Sequence, residues 1–287
     1  MRERAQRFDP RQVMHRPTFE VFHYREPRPE VVEMHHHDFY EVYCFLNGEL
    51  EFRVEGRQYR LKRGDLLLIN PMELHRPIIE PESTLYERIV LWINKEYLES
   101  LSDGEVRLDR CFDSTLPTHK NLLCPHSVQR TDMLTRLGEL VRESYSEEYG
   151  SRLCADGIFR RFMVELNRLA LHAGSGREER EESSPLISQV LAYVGEHCRE
   201  ELSLEQLARH FYVSKYHLSH EFSRTVGVSV YRYILLKRLQ LARQQLLAGM
   251  TPGEVCVSCG FGDYTNFYRA FKAEYGISPR ACTDGGG

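Results

Sequence analysis

Two stretches near the C-terminal end repeat one local pattern: a short capped helix, a tight break, and a second capped helix. A long segment free of Gly and Pro joins them. The first copy starts after Ser203, with Leu204, Leu207, Ala208 and Phe211 at helical spacing and Gln206 placed to close a capping box. A break at Tyr212-Val213 leads to a helix opening at Ser214, in which Leu218, Phe222 and Val226 share one side and Gly227 ends the run. In the second copy Thr251-Pro252-Gly253-Glu254 reads as a capping box with Pro at the first helical position, Val255, Cys256, Cys259 and Phe261 form the apolar side, and Gly260 marks the turn. Asp263 is placed to cap the next helix, which buries Phe267 and Phe271 and stops at Gly276 and Pro279.

Packing leaves over Lys215, Tyr216, Ser219, His220 and Ser223 on the first of these second helices, and Tyr264, Thr265, Tyr268, Arg269 and Lys272 on its counterpart. All can hydrogen-bond to base edges or phosphates. One such face alone is as readily a solvated helix side. Two of them around one connector point to DNA. The connector, Val230 to Ala248, spans about 28 Å at the helical rise, close to the roughly 34 Å of one duplex turn. One chain can thus set two helices in successive major-groove segments.

Through Leu207-Ala208, Ser214, Leu218, Phe222, Gly227, Lys237-Arg238-Leu239, Ala242, Leu246, Gly260-Phe261, Phe267, Arg269-Ala270-Phe271-Lys272, Gly276 and Ser278-Pro279, this segment resembles the AraC/XylS family of bacterial transcription regulators. The resemblance implies that Lys215, Tyr216, Ser219 and His220 read DNA from the first recognition helix, and Tyr264, Thr265, Tyr268 and Arg269 from the second. Ser214 and Lys272 complete the expected DNA-binding set. Activation and contact with RNA polymerase are also implied by the resemblance alone.

A net charge of −4 looks wrong for a DNA binder, but it is unevenly spread. From Pro185 onward there are 11 Lys and Arg against 9 Asp and Glu, leaving 27 against 33 of the totals of 38 and 42 upstream. The DNA-binding part is therefore net +2 and the rest −6. So small a positive charge neutralises few phosphates, and a homodimer is the natural remedy. Eight scattered cysteines, with no signal peptide and no long apolar run, read as a cytoplasmic chain with reduced thiols and no membrane partner. Cys256 and Cys259 form a CxxC without a second pair, so core filling is expected of them and not zinc.

Upstream, Gly174-Ser175-Gly176 and the charged run to Ser184 have nothing to bury and read as a linker over residues 174–184. Before it, Ser127 to Tyr149 and Leu153 to His172 show helical periodicity and suit an antiparallel pair; the family resemblance implies that such a pair serves dimerisation, and packing on its own sheet is the alternative. From Phe19 to about Leu98, β-branched and aromatic runs are broken by Asn47-Gly48, Glu55-Gly56, Arg63-Gly64-Asp65, Asn70-Pro71 and Glu80-Pro81, the spacing of an all-β sandwich or barrel. Residues 1–17 read as an arm or disordered tail, and Gly285-Gly286-Gly287 as an unstructured end.

The β-rich stretch resembles a cupin barrel through His35-x-His37-x3-Glu41-x6-Gly48, then Gly64-Asp65, Pro71 and His75, although Pro29 and Glu73 stand where that pattern expects Gly. The expected architecture is α+β in two domains: a cupin-like effector-sensing and dimerisation domain over residues 18–173 and an all-α DNA-binding domain over residues 185–283. On a strand, His35 and His37 would share one face. Three imidazoles and a carboxylate suit a divalent transition metal, and equally suit a polar effector such as a sugar. The effector reading is preferred, with His37, Glu41 and His75 central and His35, Tyr43 and Trp92 beside them, and no resident metal. The chain then reads as a one-component regulator, not an enzyme, controlled by a small polar effector at a double-stranded DNA operator. The alternative is a metal-dependent cupin enzyme, an isomerase or dioxygenase, fused to a DNA-binding module.

Overall fold

In the computed structural model, alternation along the strands sets the layers of the first half of the chain. Residues 12–27, 32–71, 73–79, 85–116, 119–172, 181–182 and 184–284 are described. Residues 1–11, Pro29, Glu80-Pro81, 174–180 and 285–287, named above, lie outside them. The chain divides into two compact units, residues 1–54 with 58–182 and residues 55–57 with 183–287.

The first unit contains β1 (Phe19–Glu26), β2 (Tyr40–Asn47), β3 (Leu50–Val54), β4 (Arg57–Arg60), β5 (Leu66–Ile69), β6 (His75–Ile79) and β7 (Tyr86–Ile93). Two short strands complete it, β8 (Leu122–Leu123) and β9 (Glu181–Glu182). They form two sheets, ordered β1-β7-β2-β5-β8 and β6-β3-β4-β9, and not one closed ring. This two-sheet form is cupin-like. Pairing of Glu181 and Glu182 with Tyr59 and Gln58 places a strand inside the expected linker. A backbone ladder needs no apolar side chain, so composition does not reveal it.

The five-stranded sheet is buried on both faces, which is why β5 reads Leu-Leu-Leu-Ile without alternation. Tyr40, Val42, Cys44, Leu66, Leu68, Ile89, Leu91 and Ile93 turn to one face, which the helices cover. Tyr43, Phe45, Leu67, Ile69, Tyr86, Val90 and Trp92 turn to the other, into an aromatic core with Phe52 and Tyr59 of the second sheet. Strand period 2 assigns each side chain to its core.

The strand run ends at Ile93 and not near Leu98, because Asn94 accepts from Tyr97 N at 2.8 Å and caps α1 (Lys95–Ser100). The paired helices are α2 (Ser127–Ser144) and α3 (Ser151–His172). Helix α2 stops short of Tyr149; Tyr145 caps it, and its hydroxyl donates to Val21 O at 2.9 Å on β1. The pair packs on its own sheet through Met133, Leu137, Leu140, Phe159, Phe162 and Leu166.

The second unit is all helical: α4 (Pro185–His197), α5 (Leu204–His210), α6 (Lys215–Val226), α7 (Val230–Leu247), α8 (Pro252–Ser258), α9 (Tyr264–Tyr275) and α10 (Pro279–Asp284). Caps fall where the sequence puts them, at Ser203, Ser214, Thr251 and Asp263, with left-handed Gly227 and Gly276 at the ends of α6 and α9. Tyr212 supplies the first break with φ +56°. Pro279 does more than stop α9: it opens α10, as proline at a first helical turn loses no hydrogen bond. Cys256 and Cys259 are free thiols buried with Leu239, Leu246, Phe267 and Phe271, as core filling requires. No helix among the described residues is long and apolar enough to cross a membrane.

Candidate functional site

The aromatic core between the two sheets leaves a partly open pocket of about 30 Å³ lined by His35, Glu41, Tyr43, His75 and Trp92, five of the six residues expected to meet an effector. His37 is not on the lining. Its buried side chain stands behind it, with Nε2 3.2 Å from Glu41 Oε2 and its ring centroid 4.8 Å from that of His75. The structure thus brings all six together.

His35 and His37 do not share a strand. His35 makes an isolated bridge to His75, its N donating to His75 O at 3.1 Å and its O accepting from His75 N at 2.9 Å, and His37 precedes β2 without regular pairing. The rings are aimed by local bonds instead: Nδ1 of His35, His37 and His75 donates to the carbonyls of Glu33, Phe39 and Glu73 at 2.8, 2.9 and 2.8 Å. A carbonyl only accepts, so each Nδ1 carries a proton and each ring turns its Nε2 inward. Burial pushes His35 down to about 4, and burial with the neighbouring imidazoles holds His75 well below the usual histidine range.

Register sets the carboxylate. Glu41 lies opposite Trp92 across β2 and β7, and Trp92 Nε1 donates to Glu41 Oε2 at 3.0 Å. Next along β7 comes a residue that the sequence does not single out. Arg88 is 5% exposed, opposite Tyr24 on β1, with its guanidinium 4.5 Å from the Tyr24 ring and 4.3 Å from the Tyr86 ring. Its Nη1 donates to Glu26 at 3.1 Å. Tyr43 and Tyr86 share a short hydroxyl hydrogen bond on the lining, and burial raises both above the usual tyrosine range, Tyr86 to about 12. A cation, a carboxylate, neutral imidazoles and phenol groups therefore converge within walls of Phe52, Val90 and Trp92. Such a mixture orients a small polar molecule by hydrogen bonds while its apolar edges stack.

The second unit presents two exposed polar faces. On α6, with Ser214 at its cap, Lys215, Tyr216 and His220 are exposed and Ser219 is half-buried, while Leu218, Phe222 and Val226 are buried beneath. The Tyr216 and His220 rings are 6.2 Å apart and nearly parallel. On α9, Tyr264, Thr265, Tyr268, Arg269 and Lys272 are exposed over buried Phe267 and Phe271. Asn266 belongs to the same face: its Oδ1 accepts from Arg269 Nη2 at 3.0 Å. An asparagine amide one turn before an arginine is the signal that could have found it.

A family model described as an AraC-like ligand binding domain matches residues 16–163, and one described as a helix-turn-helix domain matches residues 207–284. The HTH-type transcriptional activator RhaS of Salmonella arizonae is 26% identical over 253 residues, covering 88% of this chain and 87% of its own. RhaS of an Enterobacter species is 26% identical over 254 residues, with the same shares. Among solved structures, unsaturated fatty acid bound ToxT from Vibrio cholerae aligns with 93% of this chain and 95% of its own at 14% identity and a TM-score of 0.41. A Listeria innocua protein of unknown function aligns with 35% of this chain and 97% of its own at 29% identity and a TM-score of 0.34.

Proposed function

This chain belongs to the AraC family of DNA-binding transcription regulators, and on that premise we propose that a sugar or related polyhydroxylated metabolite, held between the two sheets, controls how α6 and α9 engage an operator. The observation that carries the ligand class is the convergence of Glu41, His75, Tyr43, Tyr86 and Arg88 around a space walled by Trp92 and Phe52. Hydroxyl groups match that alternation of donors and acceptors, and a ring face matches the indole.

His35, His37, Glu41, Tyr43, His75 and Trp92 form the effector-binding set, with Arg88 and Tyr86 added. Ser214, Lys215, Tyr216, Ser219, His220, Tyr264, Thr265, Tyr268, Arg269 and Lys272 form the DNA-binding set, with Asn266 added. The domains are the sensor over residues 18–173, the linker over 174–184 and the DNA-binding part over 185–283. Because the latter is only net +2, two copies bind together as a homodimer. The relatives are named as activators and not as enzymes, which supports activation in the cytoplasm through contact with RNA polymerase. Ligand control requires that the effector bind one state of the regulator better than another.

The test is a thermal-shift screen of sugars, sugar acids and non-sugar polar metabolites, followed by operator binding with each compound that stabilises the protein. A sugar that raises the melting temperature and changes operator affinity is the expected result. Stabilisation by an apolar or non-hydroxylated compound alone would overturn the ligand class.

A further inference from the structure

The polar groups around the space between the sheets are sorted by kind along the strands. Acceptors stand at the Trp92 end. Glu41 lies opposite Trp92 in the ladder of β2 and β7, and His75 Nε2 is buried with no hydrogen-bond partner among the described residues. Burial keeps the His75 ring uncharged at neutral pH and the Glu73 carbonyl takes its Nδ1 proton, so that ring has only a lone pair to offer. Four residues back along β7, on the same face by strand period, donors take over. Arg88 spends Nη1 on Glu26 at 3.1 Å, and its Nε and Nη2 meet no acceptor among the described residues. The Tyr43 and Tyr86 hydroxyls share one hydrogen bond, which uses one of their two protons and leaves the other to donate.

Arg88 is a buried charge only partly offset. The Tyr24 and Tyr86 rings, 4.5 and 4.3 Å from its guanidinium carbon, attract the cation but accept none of its N–H groups in the ring plane. Glu26 is the one ionic partner of Arg88 among the described residues, and its side chain is 30% exposed while that of Arg88 is 6% exposed. A hydroxyl group would occupy one free donor and leave the charge as it is. A carboxylate takes Nε–H and Nη2–H together as a fork and brings the compensating charge. Glu41 does not oppose an anion there: it lies two inward positions away, engaged by Trp92 Nε1 at 3.0 Å and faced by His37 Nε2 at 3.2 Å.

We infer that the effector is a sugar acid, an aldonic or uronic acid, whose carboxylate is held by Arg88 with a Tyr43 or Tyr86 hydroxyl while its own hydroxyl groups donate to His75 and Glu41. The inference rests on the reading of this space as the effector site and narrows it, since a neutral sugar carries no group that answers both the fork and the charge of Arg88. Arg88 is then the residue that sets acid against neutral sugar.

The experiment titrates the full chain, at neutral pH and constant ionic strength, with pairs that differ in a carboxylate: D-galacturonate and D-galactose, D-glucuronate and D-glucose, D-gluconate and D-glucitol, D-glycerate and glycerol. Calorimetry and melting temperature read binding. An acid is expected to bind about 10- to 100-fold more tightly than its neutral partner. Arg88→Gln brings the acid down to the level of that partner, and Arg88→Lys, which keeps a cation beside Glu26, retains only part of the preference because a point charge lacks the fork. A merely structural role for Arg88 would weaken both members alike and leave their ratio unchanged. A neutral sugar that binds as tightly as its acid, or an acid preference that survives Arg88→Gln, overturns the inference and leaves the sugar reading standing. Failure of every acid to bind overturns it as well, and the neutral sugars then decide the wider reading. Hexanoate binding as tightly as the acids overturns both, because hydroxyl groups then contribute nothing. If Arg88→Gln does not fold, Arg88→Lys decides: an undiminished acid preference in that variant overturns the inference.

Discussion

Lys215 and Glu205 are joined across the turn of the first helix-turn-helix, Lys215 Nζ donating to Glu205 Oε1 at 2.6 Å with both side chains more than half exposed. The ammonium best placed to meet a phosphate is therefore held by a carboxylate of the supporting helix. Glu205→Gln is expected to free it, strengthening binding to every duplex and steepening the fall of log affinity with log salt by up to about one unit. Lys215→Ala flattens that slope by about the same amount. Fluorescence anisotropy over a salt series reads both, and identical slopes in the two variants would remove Lys215 from the DNA contacts.

Arg269 presents a guanidinium already steadied by Asn266 on the same exposed face. Two parallel hydrogen bonds to a guanine edge match its fork, so Arg269→Ala is expected to cost about 1–3 kcal/mol of operator binding and to relax sequence preference at one base pair. Arg269→Lys does not restore it, because a point charge cannot copy the fork. Lys272→Ala weakens all sequences alike. Competition with single-base operator variants separates these outcomes; a uniform loss for Arg269→Ala would make it a phosphate contact.

What was legible in the sequence was local. Ser203, Ser214, Thr251 and Asp263 cap helices because each cap is a bond to a backbone N–H three residues on, wholly contained in a short window. The site was legible as a set of residue types and not as a geometry. His35 and His37 were expected on one strand face, whereas an isolated bridge to His75 and three imidazole-to-carbonyl bonds aim them. Arg88 was invisible among 38 basic residues because its burial follows from register, which sets it against Tyr24 some 64 positions away in the chain. Helix α4 carries Ile187, Val190, Leu191 and Val194 at helical spacing but lies outside the doubled pattern that begins at Ser203, and no side-chain cap bond marks its start.

Phe159 on α3 stacks on Phe19 of β1, with centroids 4.4 Å apart and planes 3° from parallel, both rings buried. This contact fixes the helical pair to the sheet. Phe159→Ala is expected to cost about 3–5 kcal/mol, and Phe159→Leu less, because the cavity is smaller. The loss shows as a lowered denaturation midpoint of the sensor transition, and two transitions are expected for two units. A shift below about 1 kcal/mol would mean the helices hold to the sheet elsewhere.

Glu254 closes the capping box of α8, accepting from Thr251 N at 3.0 Å and Thr251 Oγ1 at 2.7 Å. These bonds hold its carboxyl below the usual glutamate range, the Thr251 hydroxyl contributing most. Folding thus favours the ionised form. Its contribution to stability is fully present above the ordinary glutamate pKa of about 4.3 and is lost as pH falls through the depressed folded value. Glu254→Gln keeps a cap of the same shape and removes that dependence. Melting of the DNA-binding unit between pH 6 and 3 (about the range in which glutamate titrates) should separate the two proteins at the acid end; parallel curves would show the carboxylate contributes nothing.

Gly260 forms the turn between α8 and α9 with φ +79°, and a Cβ added there would lie 2.2 Å from the carbonyl oxygen of Arg199. Two costs combine at Gly260→Ala. The left-handed backbone alone costs a residue with a side chain about 1–2 kcal/mol, and the close approach to a backbone oxygen forces the turn or the segment that follows α4 to move. Gly253 in the first turn of α8 offers the contrast, since nothing lies within 4 Å of its added Cβ. Gly253→Ala is expected to stabilise by about 0.4–1 kcal/mol through the unfolded chain. Urea denaturation of both variants, with hydrogen exchange along α8 and α9, reads the difference. Gly260→Ala should also lose operator affinity, because Arg269 and its neighbours are carried on the helix that this turn aims; full affinity in a destabilised Gly260→Ala would show that α9 keeps its place without the turn.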